Sequence, residues 1–127
     1  MTPFQNIYAA VHLLNRVPSK KAFHIRDIFQ AVCQYYTLDF YELTEKTRKR
    51  NIVFARQMGM VICREYSPQL SLNNIGDYLG GFDHTTVIHG VRAISNILAT
   101  EPEMMKQKND IVKLINSNLM SEDLKIN

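Results

Sequence analysis

Apolar side chains recur along this chain with a period near 3.6. Phe4, Ile7, Tyr8, Val11 and Leu14 fall on one helical face, and Ile25, Ile28, Phe29, Val32 and Tyr36 repeat the pattern. Pro18–Lys21 breaks the two apart. Ala55, Met58, Ile62 and Tyr66 line another helix, which Pro68 ends. Val87, Val91, Ile94 and Leu98 predict a buried stripe on a helix from Asp83 to about Ala99. Met104, Ile111, Val112, Ile115 and Leu119 predict a last one.

The polar residues between these stripes mark the helix ends. Thr2 with Gln5, and Thr100 with Glu103, fit capping boxes, and Pro3 suits a first helical position. Asp39 is placed to cap a short helix through Leu43. Ser71 is placed to cap another that holds Leu72, Ile75 and Leu79. Gly80-Gly81 then ends that helix, as glycines do where the chain turns left-handed. Lys46–Asn51 reads as a loop, and the tail beyond Met120 as frayed. No segment reads as a strand. The predicted fold is all-α, a bundle of six or seven helices built around a helix-turn-helix. Residues 1–127 read as one domain, with a core over 25–99, the helix-turn-helix at 71–99, and flanking helices at 1–24 and 100–127.

Charge adds direction to this picture. The net charge is +3, and the excess is local: residues 46–100 hold seven basic and three acidic side chains, while the two flanks nearly balance. Six basic residues and no acid lie between Glu45 and Glu65. A concentrated basic stripe attracts a polyanion. No apolar run reaches the roughly 18 residues of a membrane span, and no signal peptide is read, so a cytoplasmic location is expected. Cys33 and Cys63 suit neither a disulfide framework nor a metal site and read as buried free thiols.

The candidate chemistry lies in two segments. The first is Gly80-Gly81-Phe82-Asp83-His84-Thr85-Thr86-Val87-Ile88-His89. A short helix, a glycine turn and a longer helix with a polar first turn is the arrangement that enters a DNA major groove. Thr methyls suit the thymine methyl, and Asp can accept from the cytosine amino group. Asp and Thr are also ordinary first-turn residues, so a purely capping role fits as well. The second segment is Arg48-Lys49-Arg50, followed by Arg56, Gln57 and Arg64 on what reads as the polar side of the next helix. Guanidinium groups bind phosphate bidentately and enter narrow minor grooves. A solvated charged face is the plainer alternative.

Taken together, residues 25–99 resemble the C-terminal DNA-binding domain of the bacterial replication initiator DnaA. The resemblance rests on Tyr35-Tyr36, the Arg48–Arg50 loop, Ala55-Arg56-Gln57-Met58, Arg64-Glu65, Leu72–Gly76 and Asp83–His89. It implies binding of double-stranded DNA at DnaA-box-like sites and a role in replication initiation or its regulation. By position, Arg48 resembles the minor-groove arginine, and Asp83, His84, Thr85 and Thr86 the major-groove readers. Arg50, Arg56, Gln57, Arg64, Leu72, Asn73 and His89 resemble backbone contacts, with Lys49 beside them in the basic cluster. Some positions depart from the family pattern. Phe82 stands where arginine is common, Asn73 and Ala55 where proline is, and Ala93 where lysine is frequent. An exposed Phe82 would accept arginine without loss of stability, and an inward one would not; partial exposure is the expectation.

No catalytic constellation is expected. None of the five glycines precedes Lys-Ser or Lys-Thr, so no phosphate-cradling loop is read and no nucleotide is expected. His84 and His89 are five apart and face different ways, and no histidine–cysteine spacing suits zinc. No cofactor or metal is expected. The alternative reading is a protein-interaction adaptor or transcriptional regulator on the same scaffold. Its flanking helices would either cover the core or recruit a partner.

Overall fold

In the computed structural model, residues 22–126 are described, with side chains through Asp123. The predicted first helix and the linker after it lie outside the described residues. Six helices follow. Helix α1 spans Ile25–Tyr36, α2 Phe40–Thr44, α3 Arg50–Tyr66, α4 Leu72–Tyr78, α5 His84–Thr100 and α6 Pro102–Ile126. No strand occurs among the described residues.

The helix starts follow from local chemistry. Asp39 and Glu42 form a reciprocal capping box on α2, with the Asp39 amide donating to Glu42 Oε1 at 3.1 Å. Ser71 Oγ accepts from the Asn74 amide at 3.0 Å, and Asp83 Oδ1 from the Thr86 amide at 2.8 Å. Each satisfies one of the amides that a helix start leaves without an internal partner. The end of α1 uses Thr37 in a left-handed conformation, φ 56°. Pro68 lies just past α3, and Ser67 there donates its hydroxyl to the Phe23 carbonyl. Phe23 stacks on Tyr66 with ring centroids 4.9 Å apart, which fastens the chain ahead of α1 to the end of α3.

Three end points differ from the sequence expectation, the first being the start of α3 at Arg50, inside the segment Lys46–Asn51 that reads as a loop. Thr100 does not cap α6. It lies in the last turn of α5, where its hydroxyl hydrogen-bonds back to the Asn96 and Ile97 carbonyls. Only Glu101 separates the helices, and Pro102 opens α6 at the position where its missing N–H costs nothing. The chain beyond Met120 is helical through Ile126 rather than frayed.

The core is one cluster. Ile28, Phe29 and Val32 of α1 meet Ala55, Met58 and Ile62 of α3, Ile75 of α4, Val87 and Ile94 of α5, and Ile111 and Ile115 of α6. Helix α3 is central, touching α1, α2, α5 and α6. It passes close to α1 at Gly59, where a Cβ would lie 2.2 Å from the Phe29 ring. Helix α6 runs antiparallel over α1. Polar contacts fix it there: Tyr35 Oη donates to Asp110 at 3.1 Å, Tyr36 Oη to Gln107 at 2.9 Å, and Asn118 to Gln34 at 2.7 Å. An ion pair joins Lys108 to Glu65. Through Ile111 and Ile115 the last helix covers the core.

Candidate nucleic-acid interface

The turn between α4 and α5 is built on one carbonyl. The amides of Gly81 and Phe82 both donate to the Gly76 oxygen at 3.0 Å. Gly80 and Gly81 take φ of 98° and 97°, a region that side-chain-bearing residues rarely adopt. Gly76 is needed for a different reason. A Cβ there would lie 1.8 Å from the Phe82 carbonyl oxygen. This close approach brings α4 against the start of α5 and sets how the first turn of α5 is presented.

That first turn is exposed. Asp83, His84, Thr85 and Thr86 all face solvent, while Val87 is fully buried beneath them. His89 is exposed too. It follows Thr85 by four residues and Thr86 by three, so it continues their side of the helix. Arg92 extends the same line one turn further and is exposed. Its i+3 spacing from His89 is the sequence signal that places it there. Asp83 has a structural task whatever else it does. Its hydrogen bond from the Thr86 amide holds the carboxyl below the usual carboxylate range.

Arg48, Lys49 and Arg50 are exposed in the segment that leads into α3, whose first residue is Arg50. Arg64 is exposed near the end of that helix. Gln57 is half-buried and packs toward Gly90 of α5, where a Cβ would lie 3.1 Å from Gln57 Cγ. At the α4 start, Leu72 is half-buried and Asn73 exposed. Helix geometry leaves the amides of these two residues without an intrahelical acceptor.

Arg56 is the correction. It reads in sequence as a polar-face phosphate contact, yet it is 5% exposed and turned inward. Its Nε donates to the Leu43 carbonyl at 2.8 Å and its Nη2 to the Glu45 carbonyl at 2.7 Å. The helix is covered on that side by the end of α2, which periodicity within α3 could not reveal. Burial lowers its pKa, and its guanidinium also lies over the Phe82 ring at 4.4 Å. Phe82 is half-buried against the core.

Lys46, in sequence one more cation of the basic stripe, joins the two segments. Its Nζ donates to the Gly81 carbonyl at 2.9 Å and reaches the Gly80 carbonyl at 3.4 Å. It also lies 3.5 Å from the centroid of the Phe82 ring. Arg48 is two residues beyond Lys46, and Asp83 two beyond Gly81. Each pair of Cα atoms is therefore separated by at most about 7 Å. Lys46 thus makes the basic segment a neighbour of the first turn of α5.

Among the described residues no group of three or more His, Cys, Asp or Glu converges as a metal site, and no helix is long and apolar enough to cross a membrane. Cys63 is buried and Cys33 half-buried, both as free thiols.

Residues 25–94 match the family described as the bacterial DnaA protein helix-turn-helix. The chain is 38% identical over 91 residues to the chromosomal replication initiator protein DnaA of Nitrosospira multiformis, covering 72% of this chain and 19% of that protein. It is 40% identical over 88 residues to that of Neisseria meningitidis serogroup C, 69% of this chain and 17% of the relative. Similarity to the Enterococcus faecalis protein runs over 108 residues at 38% identity, 85% of this chain and 24% of the relative. The chain thus spans at most about a quarter of the length of these relatives.

Proposed function

The chain belongs to the bacterial DnaA helix-turn-helix family, and from that premise we propose that it binds double-stranded DNA sequence-specifically at DnaA-box-like sites, in replication initiation or its regulation. The observation that carries this reading is the exposed first turn of α5 held beside an exposed arginine-rich segment. A reader helix needs positioning contacts from a second element, and this pairing supplies them. His84, Thr85 and Thr86 read base edges in the major groove. Asp83 reads with the oxygen that Thr86 does not occupy. Arg48 enters the adjacent minor groove. Lys49, Arg50, Arg64, His89 and Arg92 hold phosphate, as do the amides of Leu72 and Asn73; Gln57 supports them from beneath α5. Arg56 contributes through the loop that it braces.

The matched segment is the helix-turn-helix part of much longer relatives, so the reading assigns this chain binding rather than catalysis, with no nucleotide, cofactor or metal. Action on bacterial chromosomal DNA implies the cytoplasm. A second reading, an adaptor that docks a protein through its last helix, is favoured by Met105 and Met120, large apolar residues exposed on α6.

The test is a titration against duplexes with and without a DnaA-box-like sequence at several salt concentrations. With about four phosphates neutralised, log K falls with log salt at a slope of roughly −3 to −4. Thr86→Ala and His84→Ala each weaken the preferred duplex by about 1–3 kcal/mol and the random one far less. Arg64→Ala weakens both alike. A preference for the box that survives Thr86→Ala refutes the assignment of the reader helix. A salt-independent affinity removes the basic segment from the interface and leaves the adaptor.

A further inference from the structure

The loop between α2 and α3 carries Arg48, and it is tied down on the helix-turn-helix side. Thr44 lies against the turn, since a Cβ on Gly80 would sit 3.0 Å from Thr44 Cβ and from its carbonyl oxygen. Arg56 holds the Leu43 and Glu45 carbonyls from beneath. Lys46 reaches out to the Gly80 and Gly81 carbonyls. Phe82 is the common member. Lys46 Nζ lies 3.5 Å from its ring centroid and the Arg56 guanidinium 4.4 Å. An aromatic face attracts each cation through its quadrupole and adds no charge of its own. An arginine at this position would place a third cation beside the other two.

We infer that Lys46 and Phe82 are positioning residues, a strut that sets the Arg48 segment at a fixed offset from the first turn of α5. This rests on the DNA-binding reading above and deepens it. Lys46 is one of the six basic residues of the stripe, and by charge alone it would count as a phosphate contact. Its ammonium is instead directed at two carbonyls and a ring of its own chain. Its contribution to binding is therefore geometric. It keeps the minor-groove arginine and the major-groove side chains in register on one stretch of duplex. Random DNA demands no such register, because phosphates repeat along the backbone whatever the bases.

The experiment uses the full chain with Lys46→Met, Phe82→Leu, Phe82→Tyr and the Lys46→Met/Phe82→Leu double variant. Melting curves are run first to establish that each is folded at the assay temperature. Lys46→Met lowers the ratio of box to random affinity by about tenfold or more, the scale set by a charged hydrogen bond and a cation–π contact together, and Phe82→Leu, which keeps the Lys46 hydrogen bonds, lowers it by about threefold. Random-duplex affinity and its salt slope stay as in the wild type. Phe82→Tyr keeps the ring and keeps the ratio. The double variant is no worse than Lys46→Met alone, because the contact between Lys46 and the ring is already lost there. Random-duplex affinity that falls in step, with a slope shallower by about 0.9, would overturn the inference and make Lys46 a phosphate contact. An unchanged ratio in Lys46→Met would overturn it too.

A measurement without DNA separates the strut from the reading it rests on. In proton NMR of the free protein, the Lys46 ε-methylene signals are displaced upfield by the ring in wild type and Phe82→Tyr, and not in Phe82→Leu. Absence of that displacement refutes the strut whatever the duplexes show. Its presence in a protein that prefers no duplex refutes the DNA-binding reading and, with it, the positioning role.

Discussion

Gly76→Ala sets two effects of opposite sign against each other. Helix propensity alone favours the change, since alanine in a helix interior is worth about 1 kcal/mol over glycine. The packing opposes it. The new Cβ would lie 1.8 Å from the Phe82 carbonyl oxygen and 2.9 Å from its carbon. These are backbone atoms with no rotamer to swing away. Relief requires the turn to open, and the turn is held by the two hydrogen bonds accepted by the Gly76 oxygen. Losing both costs about 2 kcal/mol, and residual overpacking about 1–3 kcal/mol more. The net is a destabilisation of about 2–4 kcal/mol. At a few degrees per kcal/mol for a domain of this size, the melting temperature falls on the order of 10 °C. Thermal unfolding followed by circular dichroism measures this, with Gly81→Ala as comparator. Gly81 has no atom within 4 Å of its Cβ position and suffers only its φ of 97°, a strain of about 1–2 kcal/mol. A Gly76→Ala protein that melts at or above the wild-type temperature, or above Gly81→Ala, refutes the close-approach argument.

Other outcomes follow from the same geometry. Phe82→Arg lowers the melting temperature because it sets a third cation beside Lys46 and Arg56, which lie over the ring; the loss shrinks as salt is added, and a melt identical to wild type at low salt contradicts it. Asp83→Asn keeps the N-cap, because asparagine caps as well as aspartate, so stability holds at neutral pH while discrimination at a cytosine position changes; equal loss of both in melting and titration assigns Asp83 to capping alone. Burial pushes the Cys63 thiol up from 9.0 to about 12. Burial, with Asp39 and Glu42, pushes Cys33 to about 11. The unfolded chain loses these protons first, so their contribution is complete below pH 9 and is lost as pH rises toward 11 and beyond. Melting temperature should therefore fall through that range, and fall less steeply in Cys63→Ala; parallel curves would remove Cys63 as a cause.

Local chemistry settled three of the six helix starts. Asp39, Ser71 and Asp83 cap from their own side chains, and Gly80-Gly81 turn the chain because glycine alone tolerates their φ, so four residues of sequence suffice to see each. The exposed first turn of α5 was legible for the same reason. Its apolar stripe begins at Val87, which leaves Asp83 to Thr86 outside. The α5–α6 junction was misplaced because Thr100 satisfies its hydroxyl within α5, a choice between two equally local partners.

Periodicity and end chemistry along the chain are thus enough for the set of elements, their apolar faces and the polar residues left over. What each leftover residue faces depends on how the helices pack. Arg56 has the spacing of a surface arginine, but the carbonyls of Leu43 and Glu45, more than ten positions away, take its charge inward. Lys46 looks like one more cation in a basic run, and it is spent on a turn thirty-five residues further on. Phe82 reads as an isolated aromatic in a glycine turn until the two cations above are known. Periodicity reports which side of a helix is apolar. It carries no information on which distant carbonyl or ring will lie beside a given charge, because that pairing is made by the packing of α2, α3 and the turn against one another.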